Sequence, residues 1–253
     1  MRVRPKKELG QHFLVDENIL RVIERLAAPA PDDVVLEIGP GLGVLTRFLA
    51  DRVALVHAVE VDRSLEARLP ARENVRVHWG DALRLDLAAL DPAPNKLVSN
   101  LPYNVATPIV VESLDGLPSL ELWCVMVQRE VADRFFAQPR TKAYGAVSVL
   151  MQLATERVGF HPVSREVFRP RPNVDSALVA FRRIALPENY AHVKEIVEAS
   201  FAHRRKTLPN SLALAGISRQ RAENALRALG RDTATRAEAL EPPEFVALAE
   251  ALP

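Results

Sequence analysis

Val35-Leu36-Glu37-Ile38-Gly39-Pro40-Gly41-Leu42-Gly43 is the stretch on which the reading of the whole chain turns. An apolar run carrying one carboxylate passes into closely spaced glycines and then into a helical pattern, which reads as strand, sharp turn and helix. Glycines there let the backbone bend and come close to a ligand. Glu60 ends the next apolar run, about 20 residues after Gly39, where a carboxylate can grip the ribose hydroxyls of an adenosine. These features suit any adenosine cofactor, NAD included, and a tight turn without a ligand would use the same glycines. Two details favour S-adenosylmethionine. The spacing Gly-x-Gly-x-Gly is shorter than the dinucleotide fingerprint. Glu37, just ahead of the turn, would repel a pyrophosphate but suits the cationic ammonium of a methionine moiety.

Working outward, further strand candidates are Leu55 to Glu60, Val75 to Trp79, Lys96 to Asn100 and Leu120 to Val127. Their nearly continuous apolar character is that of buried parallel strands, and helix-like segments separate them. The expectation is an α/β, Rossmann-like, mostly parallel sheet wound on both faces. Ala146 to Val158 and Val174 to Ile184 are also β-rich, and are expected to form an antiparallel pair closing one edge. Past Leu186-Pro187 the pattern becomes helical only. Val193, Ile196, Val197 and Phe201 recur at helical spacing, as do Ala222, Ala225, Leu226 and Leu229 before Gly230, and Pro242-Pro243 opens a last helix. A boundary near Pro187 therefore divides residues 1–186, the ligand-binding domain, from a small all-α domain over 187–253.

Two more segments carry chemistry. Gly80-Asp81-Ala82 follows the third strand, where Asp81 either accepts a hydrogen bond from an adenine amine or caps a helix. Asn100-Leu101-Pro102-Tyr103 ends the fourth strand, at the sheet edge where ligands bind in this architecture. The N6 amine of adenine is a poor nucleophile, because its lone pair is delocalised into the ring. The Asn100 side-chain oxygen and the Leu101 carbonyl can both accept from N6, favouring a pyramidal nitrogen and stabilising the charge that grows on it. Pro102 restricts Leu101 to an extended conformation. Tyr103 is placed to stack on the base. An ordinary turn would also use Asn and Pro.

The 253 residues suffice for one large and one small domain, and 48% hydrophobic with 26% charged residues is ordinary for a globular chain. Met1 to Lys7 is basic but leads into no apolar stretch, so no secretory signal is expected, and no run is long enough for a membrane span. Cys124 is the single cysteine and the His residues are scattered, which points to a reduced, metal-free, cytoplasmic protein. The net charge is only +1. Its distribution is uneven: Arg2, Arg4, Lys6 and Lys7 form one basic cluster, Arg165, Arg169 and Arg171 a second, and His203, Arg204, Arg205 and Lys206 a third. Each could be a solvated face; together they suit a phosphate-binding footprint.

Taken together these motifs resemble the KsgA/Dim-type ribosomal RNA small-subunit adenine N6-dimethyltransferase family. The likeness runs through Gly10-Gln11-His12-Phe13-Leu14, the glycine turn and Asn100-Leu101-Pro102-Tyr103. It continues in Thr141-Lys142-Ala143-Tyr144-Gly145, in Phe168-Arg169-Pro170-Arg171-Pro172-Asn173-Val174-Asp175-Ser176 and in Ser200-Phe201-Ala202-His203-Arg204-Arg205-Lys206-Thr207-Leu208. The resemblance implies a class I S-adenosylmethionine methyltransferase fold, a mostly parallel seven-stranded sheet with one antiparallel edge strand. It places Gln11, His12 and Leu14 at the methionine end of the cofactor. Gly39, Gly41, Glu60 and Val61 follow along it, Asp81 and Ala82 lie at its adenine, and Asn100 is shared with the substrate. Phe168 becomes a second aromatic stacking on the flipped target adenine. Arg169, Arg171, Arg204, Arg205 and Lys206 become RNA contacts. The implied reaction is dimethylation of two adjacent adenosines in a hairpin loop near the 3′ end of small-subunit rRNA, on naked RNA or the assembling 30S subunit, by a monomer that needs no metal and no membrane. The departures are His12, where Asn is also common, and Pro209, where a charged residue is frequent.

Alternatives are a large-subunit rRNA adenine methyltransferase of the macrolide-resistance type, a DNA adenine methyltransferase, a non-catalytic ribosome-assembly or transcription factor, and an NAD-dependent oxidoreductase. The Ser200 to Leu208 segment and the Phe-x-Pro-x-Pro run argue against the first. Only about 65 residues lie beyond Pro187, too few for an added DNA-recognition domain. Intact Glu60, Asp81 and Asn100 argue against a dead enzyme.

Overall fold

The apolar runs flanking the glycine turn become strands in the computed structural model, which describes residues 5–6 and 9–252. Arg2, Arg4 and Lys7 of the first basic cluster lie outside the described residues. In chain order the first elements are β1 (Phe13–Leu14), α1 (Glu17–Ala27), β2 (Val34–Ile38), α2 (Val44–Ala50), β3 (Leu55–Glu60), β4 (Val75–Trp79), β5 (Lys96–Asn100), α3 (Ala106–Gly116), β6 (Leu122–Gln128) and α4 (Arg129–Phe135). Then come α5 (Ala146–Ala154), β7 (Thr155–Val163), β8 (Phe168–Arg169), β9 (Ser176–Arg183), α6 (Tyr190–Phe201), α7 (Leu208–Leu214), α8 (Arg219–Ala228) and α9 (Pro242–Ala251).

The main sheet has seven strands in the order β4-β3-β2-β5-β6-β9-β7. Pairs from β4 through to β6 are parallel, and β9 runs antiparallel to β6 with Val125 opposite Val179. β1 and β8 make a separate antiparallel ribbon. Val35, Leu36, Val56, Leu97, Val98 and Cys124 are fully buried, as parallel strands covered on both faces must be. Burial pushes the Cys124 thiol up to about 12, which makes it an inert core side chain. α1 starts at Asp16, whose carboxylate accepts from Asn18 N at 2.8 Å, and it buries Ile19, Leu20 and Ile23 against the sheet. No helix among the described residues is long and apolar enough to cross a membrane.

Contacts divide the chain into two units, Met1–Ala132 with Arg157–Arg183, and Asp133–Glu156 with Ile184–Pro253. The second is helical, as the pattern after Pro187 predicts, but it also takes in the segment from Asp133. Here one expectation fails: Ala146 to Ala154 is not a strand but α5. Six of its nine residues are buried, so neither a two-residue nor a helical alternation shows in the sequence. Ser148 settles the helix start, its hydroxyl accepting from Gly145 N at 3.1 Å and donating to the Arg134 carbonyl at 2.6 Å. Within this unit Tyr144 is fully buried, packs edge-on against Phe201 at 5.9 Å and donates its hydroxyl to the Leu240 carbonyl at 2.8 Å.

Candidate active site

Strand order places the site. From β2 the chain winds outward through β3 to β4, then returns to lay β5 and β6 on the other side of β2. The crevice opens where that direction reverses, at the carboxyl ends of β2 and β5, which are the glycine turn and Asn100. A cavity of about 200 Å³ lies there. It gathers Gln11, His12, Leu14, Gly39, Gly41, Glu60, Val61, Asp81, Ala82, Asn100, Leu101, Pro102 and Tyr103, every cofactor and substrate residue read from the sequence except Phe168.

The turn itself is close-fitted. Gly39 and Gly41 have φ of 74° and 57°, and a Cβ on Gly41 would lie 2.9 Å from the Phe13 ring. Gly41 N donates to Glu60 Oε2 at 3.1 Å, and Asp62 N donates to Glu60 Oε1 at 2.8 Å. Glu60 is thus oriented by the backbone at 4% exposure, and burial raises its carboxyl above the usual range despite those bonds. Glu37 is 2% exposed, and its Oε2 has no hydrogen-bond partner among the described residues. Burial pushes its carboxyl up to about 8 against the opposing pull of the nearby Thr46 hydroxyl, which lies too far or too misaligned for a formed hydrogen bond, and the neighbouring Glu60 charge adds to the rise. A buried carboxylate oxygen without a donor is costly unless something cationic or proton-bearing meets it. The residues present therefore fit a ligand with an adenosine and a cationic end.

Asn100 has a defined orientation. Its Nδ2 donates to the His12 carbonyl at 3.1 Å. A carbonyl only accepts, so the amide nitrogen must face His12 and Oδ1 remains an acceptor. Leu101 N is spent on the Met126 carbonyl at 3.1 Å. Tyr103 is held from two sides: its hydroxyl pairs with Ser176 Oγ at 2.6 Å, and its ring stacks on His12 at 5.4 Å. Burial raises the Tyr103 phenol, so it stays neutral. His12 is fixed in turn by Nδ1 on the Pro170 carbonyl at 2.8 Å.

Some expected roles change. Phe168 is fully buried in the core beside Leu14 and Ile23 and does not line the cavity. The β1–β8 pairing sets Leu14 opposite Phe168, and the ring packs into the core here rather than facing the cavity. Asp81 borders the cavity, and its Oδ1 accepts from Leu83 N at 3.0 Å within a turn; no helix follows for it to cap. Gln11 is occupied at both ends, Oε1 accepting from Lys6 N at 2.8 Å and Nε2 donating to Asp62 Oδ2 at 2.9 Å. Asp62 escaped the sequence reading. Its burial opposes ionisation, but hydrogen bonds from Lys6, Ser64 and Gln11 outweigh this and hold the carboxyl well below the usual range. The signal for it was slight: a carboxylate two residues past Glu60 that also caps the turn at Ser64, whose N it accepts at 3.1 Å.

The basic residues divide. Arg169 folds back onto the carbonyls of Glu166 and Phe168, at 3.0 and 2.8 Å, and Arg171 pairs with Glu166 at 2.7 Å. Arg205 and Lys206 are exposed, while Arg204 reaches the Lys142 and Tyr144 carbonyls. No group of three His, Cys, Asp or Glu among the described residues is arranged to hold a metal ion.

Fold and cavity together define a class I S-adenosylmethionine-dependent methyltransferase. Residues 2–252 match the model of the family described as ribosomal RNA adenine dimethylase. The chain belongs to that family. Relatives named ribosomal RNA small subunit methyltransferase A include that of Rubrobacter xylanophilus, 53% identical over 97% of this chain and 94% of its own. That of Thermobifida fusca is 44% identical over 99% and 91%. Among solved structures, a dimethyladenosine transferase from Plasmodium falciparum shares the fold with a TM-score of 0.76 at 23% identity, covering 94% of this chain and 96% of that one. The 23S rRNA methyltransferase ErmE superposes with a TM-score of 0.66 at 32% identity, covering 95% and 99%.

Proposed function

We infer that this protein uses S-adenosylmethionine to dimethylate the N6 amines of two adjacent adenosines in a hairpin loop near the 3′ end of small-subunit rRNA. The observation that carries this is the orientation of Asn100, whose amide nitrogen is committed to His12 and whose oxygen is left as an acceptor beside the glycine turn. When bound, S-adenosylmethionine supplies an electrophilic methyl group on a cationic sulfur. Glu37 meets its ammonium, Glu60 its ribose, and Asp81 with Ala82 its adenine.

In the first transfer Asn100 Oδ1 and the Leu101 carbonyl accept from the two N6 hydrogens, and in the second one of them accepts from the single hydrogen that remains, leaving the lone pair available and stabilising the positive charge that develops. For each methyl gained, the nitrogen releases one proton to water. Tyr103, locked by Ser176 and His12, supplies a fixed aromatic wall for the adenine ring. An RNA loop suits this site, because its bases are already unstacked and cost little to extrude. The chain's own task is positioning, with no covalent enzyme intermediate. Arg205 and Lys206 contact the rRNA backbone. We further read the protein as a cytoplasmic monomer.

The 53% identity to a small-subunit methyltransferase, against 32% to the 23S enzyme, supports the small subunit as target. Incubation with labelled cofactor and under-methylated small subunits, followed by mapping of the modified nucleotides, tests the reading. Label on two adjacent adenosines of the small-subunit loop is expected; label confined to large-subunit RNA would overturn it.

A further inference from the structure

We propose that the loop carrying Arg140 and Lys142 is a second phosphate-binding element for the RNA backbone, and that Arg204 pins it beside Arg205 and Lys206. The inference rests on the reading of RNA as substrate.

The motif Thr141-Lys142-Ala143-Tyr144-Gly145 takes no part in the cavity. Within the helical unit it nevertheless meets the basic run about 60 residues further along the chain. Arg204 Nη2 donates to the carbonyls of Lys142 at 3.3 Å and Tyr144 at 3.4 Å, and its guanidinium lies 3.7 Å from Glu238. Glu238 closes the arrangement, its carbonyl accepting from Arg140 N at 2.7 Å. That bond holds Arg140 at a φ of 65°, a left-handed conformation that a non-glycine residue adopts only where its surroundings enforce it. The buried Tyr144 ring anchors the other end of the loop.

The side chains this exposes share one chemistry. Arg140, Lys142, Arg205 and Lys206 are all exposed, and none makes a side-chain hydrogen bond or ion pair among the described residues. Elsewhere in the same unit Arg219 and Arg227 both reach Glu223, and the half-buried Arg231 forms a two-pronged pair with Glu244 at 2.6 and 2.8 Å, while Arg221 and Arg236 are exposed like the four and make no side-chain hydrogen bond or ion pair among the described residues. Unpaired cations held together by a deliberately fixed loop repel one another until a polyanion neutralises them. A sugar–phosphate backbone, with its regular row of charges, is the partner such a surface fits, and it would be bound without regard to base sequence. Arg204 is a positioning residue here, since its donors point at the loop's carbonyls.

The test measures binding of a fluorescein-labelled RNA hairpin, with two adjacent adenosines in its loop, by anisotropy across a KCl series. Replacing Arg140 and Lys142 together with Ala should reduce the slope of log affinity against log salt by about two and weaken binding roughly tenfold or more near physiological salt. The pair Arg205→Ala and Lys206→Ala should do the same. Arg204→Lys keeps the charge but loses the fork. It should lower the slope like the loop pair, and on its background the loop pair should change nothing further. Thermal melts of each variant confirm that the fold persists. An unchanged slope for the loop pair, with the Arg205 and Lys206 pair still effective, overturns this inference alone. Strict additivity of Arg204→Lys with the loop pair overturns the pinning role. A wild-type affinity indifferent to salt overturns RNA docking on this unit altogether.

Discussion

Replacing Glu37 with Gln should remove close to one proton from the balance of cofactor binding at neutral pH. Glu37 is 2% exposed with an unpartnered oxygen, and burial, aided by the Glu60 charge, moves its carboxyl from an ordinary 4.5 up to about 8. That rise corresponds to about 5 kcal/mol in favour of the neutral form, on the scale of 1.36 kcal/mol for each pH unit. At pH 7 the ligand-free carboxyl is then about nine-tenths protonated. An ammonium arriving beside it favours the ionised form, so binding expels the proton. Titration calorimetry of S-adenosylmethionine in buffers of different ionisation enthalpy at one pH reads the protons released. The cofactor's amino group and Glu60 also exchange protons, so the informative quantity is the difference between wild type and Glu37→Gln. It should be about one proton at pH 7 and vanish near pH 9. A difference of zero at pH 7 refutes the placement of the ammonium at Glu37. The same shift has a stability consequence. The folded value lies above the unfolded one, so the stabilisation is complete below pH 4.5 and is lost as pH rises to about 8. Ligand-free wild type should melt lower at pH 8 than at pH 5.5, and Glu37→Gln should flatten that slope.

Asn100→Ala should cut kcat for methyl transfer by about 100- to 1000-fold, the usual effect of deleting one preorganised hydrogen-bonding group at a charge-developing atom, while cofactor affinity stays within a few-fold. Loss of cofactor binding instead would reassign the residue. Gly41→Ala forces a Cβ to 2.9 Å from the Phe13 ring at a φ of 57°, and should cost about 1–3 kcal/mol in denaturant unfolding along with weaker cofactor binding. Unaltered stability would mean that the turn has slack. Phe168→Ala should destabilise by about 3–5 kcal/mol, as for any fully buried Phe. A variant that keeps its stability but loses affinity for RNA would restore the base-stacking role.

Much of the site was legible because its signals are local. Strands buried on both faces need nearly continuous apolar runs, and β2 to β5 end where those runs end. Glycines that adopt positive φ recur at every second position here, so Gly39 and Gly41 declared the turn without help from the rest of the chain. The order of strands then brought Asn100 beside them, because a parallel sheet that reverses direction at β2 leaves the ends of β2 and β5 adjacent. α5 was hidden because burial around most of the helix erases any periodicity, and its start depends on a hydroxyl that also reaches Arg134.

The amino-acid order alone settled the parallel strands β2 to β5 and the glycine turn, since each follows from neighbouring residues. Which way individual side chains face was decided only in three dimensions. Phe168 went to the core through pairing with β1, Gln11 was claimed by Asp62, and Arg204 was turned toward Lys142. Each outcome depends on a partner distant in sequence, and exposure and hydrogen bonding are properties of the assembled surroundings.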